Sequence, residues 1–503
     1  MQQFTHTLGQ YLLTGMEVIA ALFIGLLIAG LAWGVSAYII DVRQTRHAIR
    51  RNYPVIGRFR YFFEHLGEFF RQYFFAMDRE ELPFNRAQRS WVYRAAKNIS
   101  NTVAFGSTRD LRRPGSVLFI NCPFPTLGED AVPPGPLTIG SECRVPYTTA
   151  SIFNISGMSY GAISRPAVTA LSRGAKKAGC WMNTGEGGLS PYHLESGCDI
   201  VFQIGTAKNG VRDLDGKLSE AKLQEVAAHQ QVRMFEIKLS QGAKPGKGGM
   251  LPGRKVTEEI AQIRGIPVGS DAFSPNRHPD IRDNNDLLDM IDTIRTVTGK
   301  PVGCKTVIGS PLMLDQLFQT ICERGIDSAP DFITVDGADG GTGAAPMPLI
   351  DAVGLPLRES LPLLVDKLTE YGLRGRVRVI ASGKLVTPSD IAWALCVGAD
   401  FITSARGFMF ALGCIQALQC NRNTCPTGIT THNEKLQRGL EPTVKAERVA
   451  FYVQHMVNEV GMIAHACGVR SPRELNRSHA RVVQGNGLSV GLDELHPFPT
   501  PRY

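Results

Sequence analysis

No lysine or arginine precedes Arg43, and from Val18 to Ile40 the chain carries no charge at all. A cleavable export signal has a basic stretch ahead of an apolar core of about 7–15 residues. The first is missing here and the 23-residue run exceeds the second, so Val35-Ser36-Ala37, the one small-residue cleavage site in place, has no signal to serve. At about 1.5 Å per residue the run is long enough to cross a hydrocarbon core of about 30 Å. Missing too is any basic-plus-aromatic motif of the kind that reads nucleic acid, although the net charge is +8; no nucleic-acid partner is expected.

Part of that positive excess sits beside the apolar run. Residues 41–60 hold Arg43, Arg46, Arg50, Arg51, Arg58 and Arg60 against one acid, Asp41, which points to a membrane surface. With Trp33 and Tyr38 near the end of the run, the pattern reads as a single-pass anchor whose downstream chain is cytoplasmic by the positive-inside rule. That compartment is reducing, so the 11 cysteines are not a disulfide framework. Eight of them (Cys122, Cys143, Cys180, Cys198, Cys304, Cys322, Cys396 and Cys467) have no ligand spacing among themselves and read as core or loop thiols.

The 503-residue chain, 43% hydrophobic and 20% charged, can bury a large core. We divide it into a tail (1–17), the span (18–40), a basic, helical and Pro/Gly-rich connecting region (41–147), a barrel (148–440) and a C-terminal helical extension (441–503). Phe59, Phe62, Phe63, Leu66, Phe69, Phe70 and Tyr73 recur at helical spacing, as a core-packing face or as one that lies on a membrane. Short β-branched runs at 151–156, 234–239, 301–307, 331–336, 377–382 and 400–404 alternate with helical patterns such as Arg165 to Lys177, with Ser164 as N-cap, and Pro388 to Val397. Repeated strand–helix units predict an α/β fold, a (β/α)8 TIM barrel with its site at the C-terminal strand ends. An open doubly wound sheet is the alternative.

Chemistry-bearing residues follow those strands. Gly157-Met158-Ser159 comes after the first, where glycine lets backbone approach a flat ligand. Asn183-Thr184-Gly185-Glu186 sets a carboxylate among glycines. Lys305 ends a strand and would point into the mouth, where a fixed cation stabilises the charge of a reduced flavin; pairing with a barrel carboxylate is its plain alternative. Gly340-Gly341-Thr342-Gly343 and Ser382-Gly383 expose backbone N–H groups suited to phosphate. The loop from Gln241 to Lys255 is rich in glycine and cations and suits an anionic substrate, but it is no P-loop, since no Ser or Thr follows Lys247. Cys414, Cys420 and Cys425, the last followed by Pro426, suit an iron–sulfur cluster better than a disulfide or a closed zinc site.

Four motifs, at 183–188, 241–246, 336–343 and 412–428, together resemble the FMN-binding synthase domain of the glutamate synthase large subunit. The resemblance covers roughly residues 150–440 and implies FMN, a 3Fe-4S cluster, and conversion of 2-oxoglutarate and ammonia through 2-iminoglutarate to L-glutamate. It implies Cys414, Cys420 and Cys425 as cluster ligands, and Lys305, Gly157, Met158, Ser159, Asn183, Thr184, Gly340, Gly341, Thr342, Gly343, Ser382 and Gly383 as flavin-site residues. It further implies Gln241, Lys244 and Arg264 at the substrate carboxylates, with Glu186 and Lys244 as catalytic residues. Lys247 and Met250 stand where the family usually has Glu and Gln, which changes the pocket. No N-terminal cysteine nucleophile and no convincing NADPH or FAD domain are found in the sequence. Ammonia or another amine would come from solution or a partner, and electrons from ferredoxin or a membrane redox partner. A flavin and iron–sulfur electron-transfer subunit, or a relative acting on another amine or 2-oxo acid, is the alternative function.

Overall fold

The computed structural model describes residues 2–500, which form two compact units, one ending at Ala87 and one beginning at Gln88.

In the first unit, a helix spans Gln2–Arg43, and its part from Tyr11 to Arg43, with a mean hydropathy of 2.5, is long and apolar enough to cross a membrane. Its last turn carries Asp41, a fully buried carboxylate that accepts hydrogen bonds from Arg50 Nη2 at 2.8 Å, Arg58 Nε at 2.7 Å and the Val55 N–H at 3.0 Å. The lone acid among six arginines thus ties the first helix to the segment that leads, through a short helix Ala48–Asn52, into a third, Gly57–Phe70. Phe59, Phe62, Phe63, Phe70 and Tyr73 are exposed, so these aromatics are not core. The Phe69 side chain lies outside the described residues.

The second unit is built on eight parallel strands: β1 (Phe153–Ile155), β2 (Met182–Asn183), β3 (Ile200–Ile204), β4 (Val232–Lys238), β5 (Val302–Thr306), β6 (Phe332–Asp336), β7 (Arg378–Ser382) and β8 (Phe401–Ser404). They close into a barrel when β8 pairs with β1, Ile402 opposite Phe153. Closure rules out the open sheet. Six strands coincide with the β-branched runs. Ile200–Ile204 did not stand out, because Gln203 interrupts its apolar run, and β1 keeps only three of the six residues expected.

Side chains alternate in and out along each strand, so residues two apart share the interior. Trp181, Val201, Met234, Phe332, Ile380 and Phe401 form one buried apolar cluster there. Ile139 and Tyr147 join it from an antiparallel hairpin, Leu137–Ile139 with Tyr147–Thr149. This stretch, read as a connecting segment from its prolines and glycines, is the stopper at the N-terminal end of the barrel. Trp181 and Phe401 meet edge to face at 5.1 Å, and the Tyr147 hydroxyl donates to Asp199 Oδ2 at 3.0 Å.

Around the barrel, helix Arg165–Ala178 is capped by Ser164, which accepts from the Ala167 N–H. It packs on a 25-residue helix, Pro442–Ala466, so closely at Gly174 that any side chain there would overlap Val449. Beyond that helix the chain turns into a three-stranded antiparallel sheet, Val117–Phe119 with Ala480–Val483 and Ser489–Gly491. The C-terminal extension therefore holds strands as well as helix, and it pairs with the connecting region.

Because Phe401 anchors the stopper cluster, Phe401→Ala is expected to cost about 3–5 kcal/mol, read from the denaturant midpoint; a loss under about 1 kcal/mol would contradict this packing.

Candidate active site

One step above the apolar cluster, the barrel interior turns polar. On β4, Met234, Glu236 and Lys238 lie two residues apart and take the same face, so the strand climbs from core to carboxylate to cation. Glu236 is buried and fully satisfied: Oε1 accepts from Asn183 Nδ2 at 2.8 Å and Gln203 Nε2 at 2.6 Å, and Oε2 from Thr334 Oγ1 at 2.7 Å. A cavity of about 10 Å3 lies between the layers, lined by Glu236, Lys305, Thr334 and Thr403 among others. It has room for about one water, and the Thr403 hydroxyl is buried there with no partner.

Lys305 rises from β5 into this layer and pairs with Asp336 of β6, Nζ to Oδ2 at 3.3 Å, both side chains buried. The pairing with a barrel carboxylate is thus realised. Burial works to lower the Lys305 pKa, but Asp336 and Glu236 outweigh it and the value is raised. Asp336 also takes the Ser382 hydroxyl at 2.8 Å and the Gly242 N–H at 2.9 Å. Gly242 needs to be glycine at this approach, since a Cβ would strike the Gly337 carbonyl.

At the mouth, Glu186 meets Lys238, Oε1 to Nζ at 3.1 Å. Burial pushes the Glu186 carboxyl upward, yet Lys238, Lys244 and Arg264 together hold it below its ordinary value. Burial lowers Lys244 to about 8 against the pull of Glu186, and lowers Arg264 to about 10. The segment Gln241 to Lys255 crosses over this carboxylate as a strap, and a side chain on Gly249 would overlap Glu186. Met250, half exposed at the strap, pairs through Met250–Leu251 with Ala272–Phe273.

The three residues expected at substrate carboxylates each hold a backbone carbonyl. Gln241 Nε2 donates to Gly341 at 2.8 Å, Lys244 Nζ to Ala344 at 3.4 Å and Arg264 Nη2 to Tyr160 at 2.7 Å. The first two draw the Gly340–Gly343 loop toward the strap; Arg264 keeps its Nε buried without a partner. Asn183 and Thr184 are committed inward, Asn183 to Glu236 and the Gly185 N–H, Thr184 to the Gly185 carbonyl and the Gln203 N–H. Gly157, Met158 and Ser159 are half-buried on the β1 loop. Gly383, with φ of 135°, and Lys384, with φ of 54°, turn the chain sharply after β7.

Cys414, Cys420 and Cys425 are free thiols on a loop kinked by left-handed Gln416, Leu418 and Asn423. Lys255 ties that loop to the site: its ammonium donates to the Ala162 carbonyl at 3.0 Å and the Cys420 carbonyl at 2.8 Å. Burial, and after it the neighbouring Cys420 and Cys425, push the Cys414 thiol up to about 12. Among the described residues, no group of three or more His, Cys, Asp or Glu is gathered for a single metal ion.

Sequence reasoning missed Glu236 and Lys238, and took Lys255 only as one cation of the Gln241–Lys255 loop, without its tie to the cysteines. The first two carried a signal, charges at alternate positions of an otherwise apolar strand; Lys255 carried none, since its partners lie 93 and 165 positions away.

Residues 133–470 match the model of the conserved region in glutamate synthase. The chain belongs to the glutamate synthase family. The family is one of oxidoreductases acting on CH–NH2 groups. Among its members, the glutamate synthase large subunit-like protein YerD of Bacillus subtilis is 40% identical over 95% of this chain and 98% of its own length. An archaeal-type glutamate synthase (NADPH) of Thermotoga maritima is 35% identical over 66% of this chain, which spans 62% of that relative. The archaeal glutamate synthase (NADPH) of Methanocaldococcus jannaschii is 36% identical over 68% of this chain and 62% of its own.

Lys305→Met would leave two buried carboxylates without their cation and is expected to cost about 3–5 kcal/mol, measured by chemical unfolding. The added Asp336→Asn should recover part of it; no recovery would mean that the two side chains are not coupled.

Proposed function

We propose that the chain is a glutamate synthase-type oxidoreductase, reducing 2-iminoglutarate, formed from 2-oxoglutarate and ammonia, to L-glutamate. The observation that carries the reading is Glu186, a largely buried carboxylate held ionised by Lys238, Lys244 and Arg264 at the mouth of a family-matched barrel. When bound, FMN supplies hydride, and a 3Fe-4S cluster supplies electrons one at a time.

The residue types suit both groups. The loops at Gly157, Gly340, Gly341, Gly343 and Gly383 would hold a flat ring and a phosphate, with Met158, Ser159, Thr342 and Ser382 contributing and Lys305 as the fixed cation. Asn183 and Thr184, committed inward, shape the loop that carries Glu186. Cys414, Cys420 and Cys425 offer three soft donors on one loop strapped by Lys255, with no fourth cysteine at ligand spacing.

The chain's own residues then divide the work. Lys244, Arg264 and Gln241 hold the substrate carboxylates, which fixes the carbon to be reduced. Glu186, ionised at neutral pH, is placed to take or return a proton at the substrate nitrogen, with Lys238 setting its direction. The strap keeps water from the reacting atoms.

The helix Tyr11–Arg43 serves in this reading as a single-pass anchor, the arginines after it setting the barrel on the cytoplasmic side. Ferredoxin or a membrane redox partner would deliver electrons. Lys247 and Met250 on the strap favour a second reading, a relative acting on another amine or 2-oxo acid, or an electron-transfer subunit.

Full-length protein purified anaerobically should show a 3Fe-4S signal by electron paramagnetic resonance and form L-glutamate from 2-oxoglutarate and ammonium with a chemical reductant. Glu186→Gln should lower kcat by about 10²-fold or more while retaining flavin. With both cofactors bound, no turnover across a panel of 2-oxo acids and amines would sink the enzyme reading; protein without iron would sink the cluster.

Lys244 loses its charge as pH rises through about 8. KM for 2-oxoglutarate should therefore climb between pH 7 and 9, and Lys244→Arg should flatten that climb. An unchanged slope in the arginine variant would remove Lys244 from substrate binding.

A further inference from the structure

A second charged cavity shares no lining residue with the one inside the barrel. It measures 210 Å3 and is lined by the segment Arg109 and Arg113–Val117, by Arg358 at the start of helix Leu357–Glu370, and by Ser389 and Asp390 at the start of helix Pro388–Val397. Three arginines thus face one acid.

Two of the three cations are set in place by contacts with uncharged groups. Arg358 lies with its guanidinium 4.2 Å from the ring centroid of Trp393. Arg109 Nη2 donates to the Val117 carbonyl at 3.3 Å, while its Nε is buried with no partner. Asp390 is spent on its own helix, where Oδ2 accepts the Thr387 hydroxyl at 2.7 Å and the Thr387 N–H at 3.1 Å. Among the described residues none of the three arginines has an ion pair.

Converging like charges repel, and an unpaired buried N–H carries a desolvation cost; an anion in the cavity relieves both. Guanidinium forks present paired N–H donors to oxyanions, and a helix N-terminus adds partial positive charge at the same wall. Donors arriving from three separate segments suit a tetrahedral anion with acceptors on every side better than a planar carboxylate with two. We propose that this pocket binds a phosphate group, as the free ion or as part of a small organic ester, at a site separate from the barrel mouth. The proposal does not depend on the reaction assigned to the barrel.

The test is calorimetric titration of full-length, FMN-loaded protein at low salt with inorganic phosphate, with adenosine 5′-monophosphate and with citrate. Saturable binding of one phosphate-bearing probe per chain beyond the flavin is expected, weakened about tenfold or more by Arg113→Gln and by Arg358→Gln at unchanged flavin content. Phosphate as tight as the nucleotide would identify the free ion, and a tighter nucleotide an ester. Arg113 is exposed, so its replacement tests the site without loading the fold; an unchanged melting temperature checks this. The proposal is overturned if neither phosphate probe saturates, if citrate binds as tightly as phosphate, if both variants bind as the parent does, or if the variants lose flavin.

Discussion

The buried pair Lys305–Asp336, with Glu236 beside it, is the constraint on which the upper half of this barrel depends. Charges inside a protein are tolerated only when paired and hydrogen-bonded, and here six strands, β2 to β7, contribute to the network. Glu236 of β4 collects donors from β2, β3 and β6; Asp336 of β6 collects them from β5, β7 and the strap. The polar layer therefore sets the relative heights of the strand ends, and the loops that leave those ends inherit their positions from it. Below it, the hairpin stopper makes the lower half an ordinary apolar core. The division lets one end of the barrel carry stability while the other carries charge.

Glu186 works against that background. A carboxylate this enclosed would ordinarily hold its proton, and three cations prevent it. The same cations make the mouth attractive to anions, so ionisation of Glu186 and attraction for negative charge arise from one arrangement. Lys247 on the strap adds to the positive field, which is why the departure from the family pattern at that position bears on substrate choice more than on folding.

Much of this was legible in the sequence, for physical reasons. Strands buried on both faces are continuous apolar runs, and six of eight announced themselves; β2 is too short and β3 is broken by Gln203. The stopper hairpin was hidden because prolines and glycines that shape a tight corner look like those of a loop. Glycine-bounded Glu186 and strand-ending Lys305 could be found from local context, whereas their partners Lys238 and Asp336 could be assigned only once the strands had a register. Gln241, Lys244 and Arg264 were legible as cations or donors near the mouth, but their carbonyl partners depend on how three loops fold over one another.

The strap has attachments to two different places. At Gly249 it rests on the Glu186 carboxylate, and six residues later Lys255 grips the backbone of the cysteine loop. One short piece of chain therefore reports to both places, and whatever favours one of its positions is felt at each. The mouth and the loop of the three thiols thus share one segment of chain as a common wall.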